Sequence, residues 1–64
     1  MNKEVLAQTL KEWIGNQKEP PTFKSICNHF DHIMGSDIYD AMCLLQDNGE
    51  LESIKFPAKY RVRA

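Results

Sequence analysis

The apolar residues of this chain change period at Asn48-Gly49. Before that dipeptide they recur every three or four residues, and after it they alternate. A chain patterned in this way is helical up to the dipeptide and extended beyond it. The Asn-Gly pair is itself a stop signal, because the residue after a helix often adopts a left-handed backbone that glycine tolerates. Upstream of the stop, Ile38, Ala41, Met42 and Leu45 share one helical face, with Leu44 beside it. Ser36 is the expected cap of that helix, and Asp37 in its first turn suits the helix dipole. Downstream, Leu51 to Phe56 reads as a strand, Phe56-Pro57-Ala58 as a turn, and Lys59 to Arg63 as the returning strand. In the return, Tyr60 and Val62 alternate with Lys59, Arg61 and Arg63, which makes one face apolar and the other cationic.

Two further helices precede this unit. The spacing of Val5, Leu6, Leu10, Trp13 and Ile14 predicts a first helix from Lys3 to Ile14, capped by Asn2 and ended by Gly15-Asn16. The polar stretch 16–21 ends in Pro20-Pro21, which forbids helix and favours an extended approach. Thr22 then caps a short second helix whose Phe23, Ile26, Cys27 and Phe30 form one apolar face, stopping near Asp31. A tight turn over His32 to Gly35 follows, with Ile33 or Met34 tucked inward. Trp13, Phe23, Phe30, Phe56 and Tyr60 supply the large side chains that a chain of 64 residues needs to build a core. Trp13 and Leu45 are expected to meet beneath the hairpin. This length makes one domain, residues 1–64.

The order is helix, helix, tight turn, helix, Asn-Gly, hairpin. From Val5 to Val62 it resembles the winged helix-turn-helix superfamily, most closely over Asp40-Ala41-Met42-Cys43-Leu44-Leu45-Gln46-Asp47-Asn48-Gly49-Glu50-Leu51. The resemblance implies an α+β, mostly α, fold with Pro21-Thr22-Phe23 as a short first strand. It also implies a third helix that enters the major groove of DNA and a hairpin wing that touches the backbone. The size resembles that of small bacterial regulators made of a bare winged helix.

Charge is distributed unevenly in a way that fits this. Residues 1–50 carry four lysines against eight acids, and residues 51–64 carry Lys55, Lys59, Arg61 and Arg63 against Glu52. The first part is therefore at −4 and the second at +3, which sum to the net −1. A strand projects alternate residues to one side, so Lys59, Arg61 and Arg63, with Lys55 across the turn, can line up along phosphates. The other reading of such a row is that charge on an exposed strand blocks edge pairing. Lys24, at the start of the second helix, is a further candidate phosphate contact. On the third helix, the face opposite Ile38 and Leu45 presents Ser36, Tyr39, Asp40, Cys43, Gln46 and Asp47. Tyr39 and Ser36 can reach phosphate, Gln46 can pair with adenine and an aspartate can accept from cytosine. That face holds two carboxylates and no cation. The competing reading is therefore a protein-interaction module that docks a basic partner through Asp37, Asp40 and Asp47. Duplex DNA is the expected partner, bound as a homodimer or with a protein partner because one copy has few cations.

Other function classes find little support. There is no apolar run long enough for a membrane span and no signal-peptide pattern near the N-terminus, so the expected location is the cytoplasm. Two cysteines fit a reducing compartment. Cys27 falls on the apolar face of its helix and Cys43 points outward by phase, which makes an inert thiol or a redox-sensitive one. The run Cys27-Asn28-His29-Phe30-Asp31-His32 has metal-like spacing, but Cys27 turned inward leaves no converging ligands. No nucleophile–base pair and no glycine-rich phosphate loop is present, so the chain reads as a binding protein without cofactor or enzymatic activity.

Overall fold

The computed structural model describes residues 2–54 and 59–63. Three helices precede a two-stranded antiparallel hairpin: α1 (Lys3–Gly15), α2 (Phe23–His29), α3 (Gly35–Asp47), β1 (Leu51–Ile54) and β2 (Lys59–Val62). Lys55 and the expected Phe56-Pro57-Ala58 turn lie outside the described residues.

Asn2 opens α1 from an extended backbone, and its side-chain oxygen accepts the Glu4 N–H at 2.8 Å. Leu6, Ala7, Leu10 and Ile14 face the core. Val5, expected on that face, is 55% exposed. At about 100° per residue Val5 lies about 140° from Leu10, outside the buried stripe, and Ala7 takes the inward place instead. Trp13 is half-buried and leans on α2. Its indole stacks on His29 at 4.4 Å and meets Phe30 edge-on at 5.7 Å. Trp13, expected to be buried with Leu45 beneath the hairpin, is only half-buried: it forms an aromatic cluster with α2 and packs against the core that contains Leu45.

In α2, the Thr22 hydroxyl accepts the Ser25 N–H at 3.1 Å. Ile26 is fully buried, and Phe30 caps the C-terminus one turn position short of Asp31. Ile33 then turns inward while Met34 stands 71% exposed. The third helix starts earlier than expected. Met34 is its N-cap, with no side-chain cap hydrogen bond, and Ser36 lies inside the first turn. The reason is backbone bonding: the Met34 carbonyl already accepts from the Asp37 and Ile38 N–H groups at 3.0 and 3.1 Å.

Ile38, Ala41, Met42 and Leu45 are buried as their spacing predicts. The helix closes with a paired motif in which the Gly49 N–H bonds the Gln46 carbonyl at 3.0 Å and the Glu50 N–H bonds the Leu45 carbonyl at 2.9 Å. Gly49 has φ +74°, the left-handed backbone this ending requires. It turns the chain so that Leu51 enters the core.

The hairpin pairs Leu51 with Val62, Glu52 with Arg61, Ser53 with Tyr60 and Ile54 with Lys59. Val62 and Tyr60 pack on the core, and β2 runs against α1 while β1 runs against α3. No third strand forms among the described residues. Pro21-Thr22-Phe23 contributes one bond instead, from the Tyr60 N–H to the Pro21 carbonyl at 2.9 Å. Prolines have no N–H to extend a ladder, and Thr22 and Phe23 are already committed to the cap and first turn of α2.

Candidate nucleic-acid interface

The hairpin sets where its cations stand. Directly paired residues project to the same face of a sheet, so Glu52 and Ile54 share a face with Arg61 and Lys59. Arg61 is ion-paired with Glu52 through its Nε, which partly neutralises the middle cation of the row. Lys59 is half-buried at the start of β2, where it lines an open groove with the α1–α2 loop. Arg63 is exposed just beyond β2, and its N–H bonds the Glu50 carbonyl at 3.0 Å. The Glu50 carboxylate holds Lys11 at 2.8 Å. That pair keeps the Glu50 carboxyl below its ordinary range, chiefly through the hydrogen bond from Lys11. The row of cations is therefore present, but its three described members have three different surroundings. Lys55 lies outside the described residues.

The α3 face is mixed. Ser36, Tyr39 and Asp40 are exposed, whereas Cys43 and Gln46 are half-buried. Cys43 is thus less open than helical phase suggested, and Cys27 is half-buried like it. Tyr39 is 58% exposed, and its ring meets Phe23 edge-on at 6.2 Å. The phenol titrates above its ordinary value. The leading cause is a side-chain hydrogen bond with Cys43, followed by the electrostatics of the same thiol and by desolvation, with smaller contributions from Tyr60 and Asp40. Tyr39 thus touches the start of α2. Lys24 is exposed in the first turn of α2 next to Phe23.

Asp37, Asp40 and Asp47 are all exposed, and among the described residues none is in an ion pair. Among the described residues no three His, Cys, Asp or Glu side chains gather as metal ligands. No helix there is long and apolar enough to cross a membrane.

Two features were not read from the sequence. One is the Glu52–Arg61 pair, which depends on a hairpin register that alternation alone does not specify. The other is the groove beside Lys59, which forms because the Pro20-Pro21 segment crosses the edge of β2.

No protein family, no curated protein and no solved structure matches the chain.

Proposed function

We propose that this chain is a small winged helix-turn-helix DNA-binding protein of the transcription-regulator kind. In this reading α3 faces the major groove, and Lys24, Lys55, Lys59, Arg61 and Arg63 meet phosphates. One observation supports it above the others: the ring of the exposed Tyr39 on α3 meets Phe23 of α2 edge-on, and Pro21, two residues before Phe23, accepts the Tyr60 N–H of β2. The α3 face, the start of α2 and the hairpin therefore border one surface, as a groove-reading helix flanked by phosphate contacts requires. The Tyr60–Pro21 hydrogen bond adds support, because it lays the α1–α2 segment along the edge of β2 where the resemblance expects a first strand.

The Glu52–Arg61 pair and the three exposed aspartates reduce the positive field that duplex DNA requires. Binding by one copy is accordingly weak and salt-sensitive, and a dimer or a protein partner supplies the remainder. The second reading is a protein-docking module, favoured by Asp37, Asp40 and Asp47, which are exposed and, among the described residues, in no ion pair. Titrating the labelled protein with mixed duplex DNA at low salt separates the two by amide shifts. Shifts at Tyr39, Lys24 and Arg63 that collapse at high salt support DNA binding. An unchanged spectrum removes DNA and leaves the acidic face as the leading surface.

A further inference from the structure

The α1–α2 loop, the flanking residues of α1 and α2 and the first residue of β2 line an open groove of about 780 Å³. That is within the size range of small-molecule sites, roughly 300–1,000 Å³. Its lining residues include the aromatic Trp13, the cationic Lys18 and Lys59, and the polar Gln17, Ser25 and Asn28. Glu19 also lines it, so two lysines against one acid leave the groove at +1. This stands out in a chain whose residues 1–50 carry −4.

The groove combines three chemistries. Trp13 is a half-buried aromatic wall, held in place because His29 stacks on its ring at 4.4 Å and Phe30 meets it edge-on. Asn28 and Gln17 supply amide edges. The Gln17 Nε2 donates to the Trp13 carbonyl at 3.0 Å, which leaves its side-chain oxygen as an acceptor. Lys18 and Lys59 come from different elements, the loop and β2, so an anion between them would bridge the two. An aromatic wall, amide edges and a lysine pair match a planar base bearing a phosphate.

We propose that this groove binds a nucleotide, with its base against Trp13, its base edge met by Asn28 and Gln17, and its phosphate between Lys18 and Lys59. The proposal does not depend on duplex binding by α3. A free mononucleotide and a nucleotide within a single strand offer the same chemistry. Base–aromatic stacking is indifferent to base identity because every base has a π-face, so any base preference comes from the amide edges of Asn28 and Gln17.

Trp13 is the only tryptophan of the chain, so its emission reports on the groove directly. The test is a fluorescence titration of the intact protein at fixed pH and low salt. The probes are adenosine monophosphate, adenosine and a three-residue deoxyadenosine oligonucleotide. Saturable quenching by the monophosphate, with adenosine about tenfold weaker, is expected. Lys18→Gln and Lys59→Gln should each weaken the monophosphate about two- to fivefold, the size of an exposed charge contact. Lys3→Gln, which changes net charge equally but lies outside the groove, should leave the affinity unchanged. Circular dichroism checks that each variant is folded, and loss of fold in one leaves the test to the other and to the adenosine comparison. Quenching by the oligonucleotide alone assigns the groove to a single strand, and quenching by the monophosphate alone to a free nucleotide. The proposal is overturned if neither probe quenches at millimolar concentration, if adenosine binds as well as its monophosphate, or if Lys3→Gln weakens binding as much as the groove variants.

Discussion

Arg61 faces Glu52 directly across the hairpin, and the two form an ion pair on the exposed face of the sheet. Both side chains are substantially exposed, so the pair itself adds little stability, about 0.2–1 kcal/mol. Its larger consequence is electrostatic, because it withholds one cation from any phosphate. Glu52→Gln should therefore tighten duplex binding at low salt by a few-fold. Arg63→Ala should weaken binding more than Arg61→Ala, although the two changes remove the same charge. Binding isotherms for the three variants at one low salt concentration check this. Equal losses for the two arginine variants would show that Glu52 does not hold Arg61 in solution.

Leu45 is buried in the core formed by α1, α2, α3 and Leu51. Truncating it removes buried methyl groups and leaves a cavity that a small domain has little means to refill. Leu45→Ala should cost about 2–5 kcal/mol, a large share of the stability expected for this size. Val5→Ala should cost far less, because Val5 is exposed. Urea denaturation of both variants gives the comparison, and a costly Val5→Ala would contradict the orientation of α1.

How far this arrangement could be read from residues alone depended on the length of each pattern. The α3 face of Ile38, Ala41, Met42 and Leu45 spans two turns and was legible, as was the Gly49 stop. The start of α3 was not. Ser36 has the chemistry of a cap, but the Met34 carbonyl opened the ladder first, and backbone bonding outweighs a hydroxyl's preference. Val5 and Ala7 exchanged places because a five-residue apolar set leaves the centre of a helix stripe uncertain by a residue. Charge and helical phase suffice to propose the candidate site residues, but not to give their surroundings. Pairing Arg61 with Glu52 requires the hairpin register, and drawing Lys59 into a groove requires the loop's path, neither of which is a local property.

Tyr39 and Cys43 are one turn apart on α3, and the thiol raises the phenol's pKa chiefly through their hydrogen bond. The chain has two tyrosines, so an alkaline absorbance titration resolves them once Tyr39→Phe identifies the later transition. Cys43→Ala should bring the Tyr39 transition to lower pH. An unmoved transition would show that the hydrogen bond is absent in solution. The same contact bears on thiol chemistry: both cysteines are half-buried, so alkylation of Cys43 should outpace that of Cys27 only modestly.

Glu50 gives the clearest pH dependence. Its folded pKa is depressed, mainly by the hydrogen bond from Lys11. A carboxylate of that kind contributes stability that is complete above its unfolded pKa, near the ordinary glutamate value of 4.5. The contribution drains as pH falls through the lower folded value. Thermal melts from neutral to acidic pH should show this loss in the wild type, and Glu50→Gln should lack that component. A variant with an unchanged acid profile would show that the Lys11–Glu50 pair is not populated.

The decisive measurement for function is the salt dependence of duplex binding. Among the described residues Lys24, Lys59 and Arg63 are cations outside any ion pair. If these three neutralise phosphates, the log–log slope of affinity against salt should be about −3, from about −0.9 per contact. Arg63→Ala should weaken binding to all sequences alike and flatten that slope by about one. Tyr39→Ala should instead alter which sequence is preferred, because contacts at the groove specify and contacts to phosphate position. A binding series at several salt concentrations, with two unrelated duplexes and these variants, reads both effects. Failure of any duplex to bind at low salt removes the DNA reading, and so does an Arg63→Ala variant with an unaltered slope and affinity. The exposed aspartates of α3 would then be tested against a basic protein partner, with Asp40→Asn expected to weaken that contact.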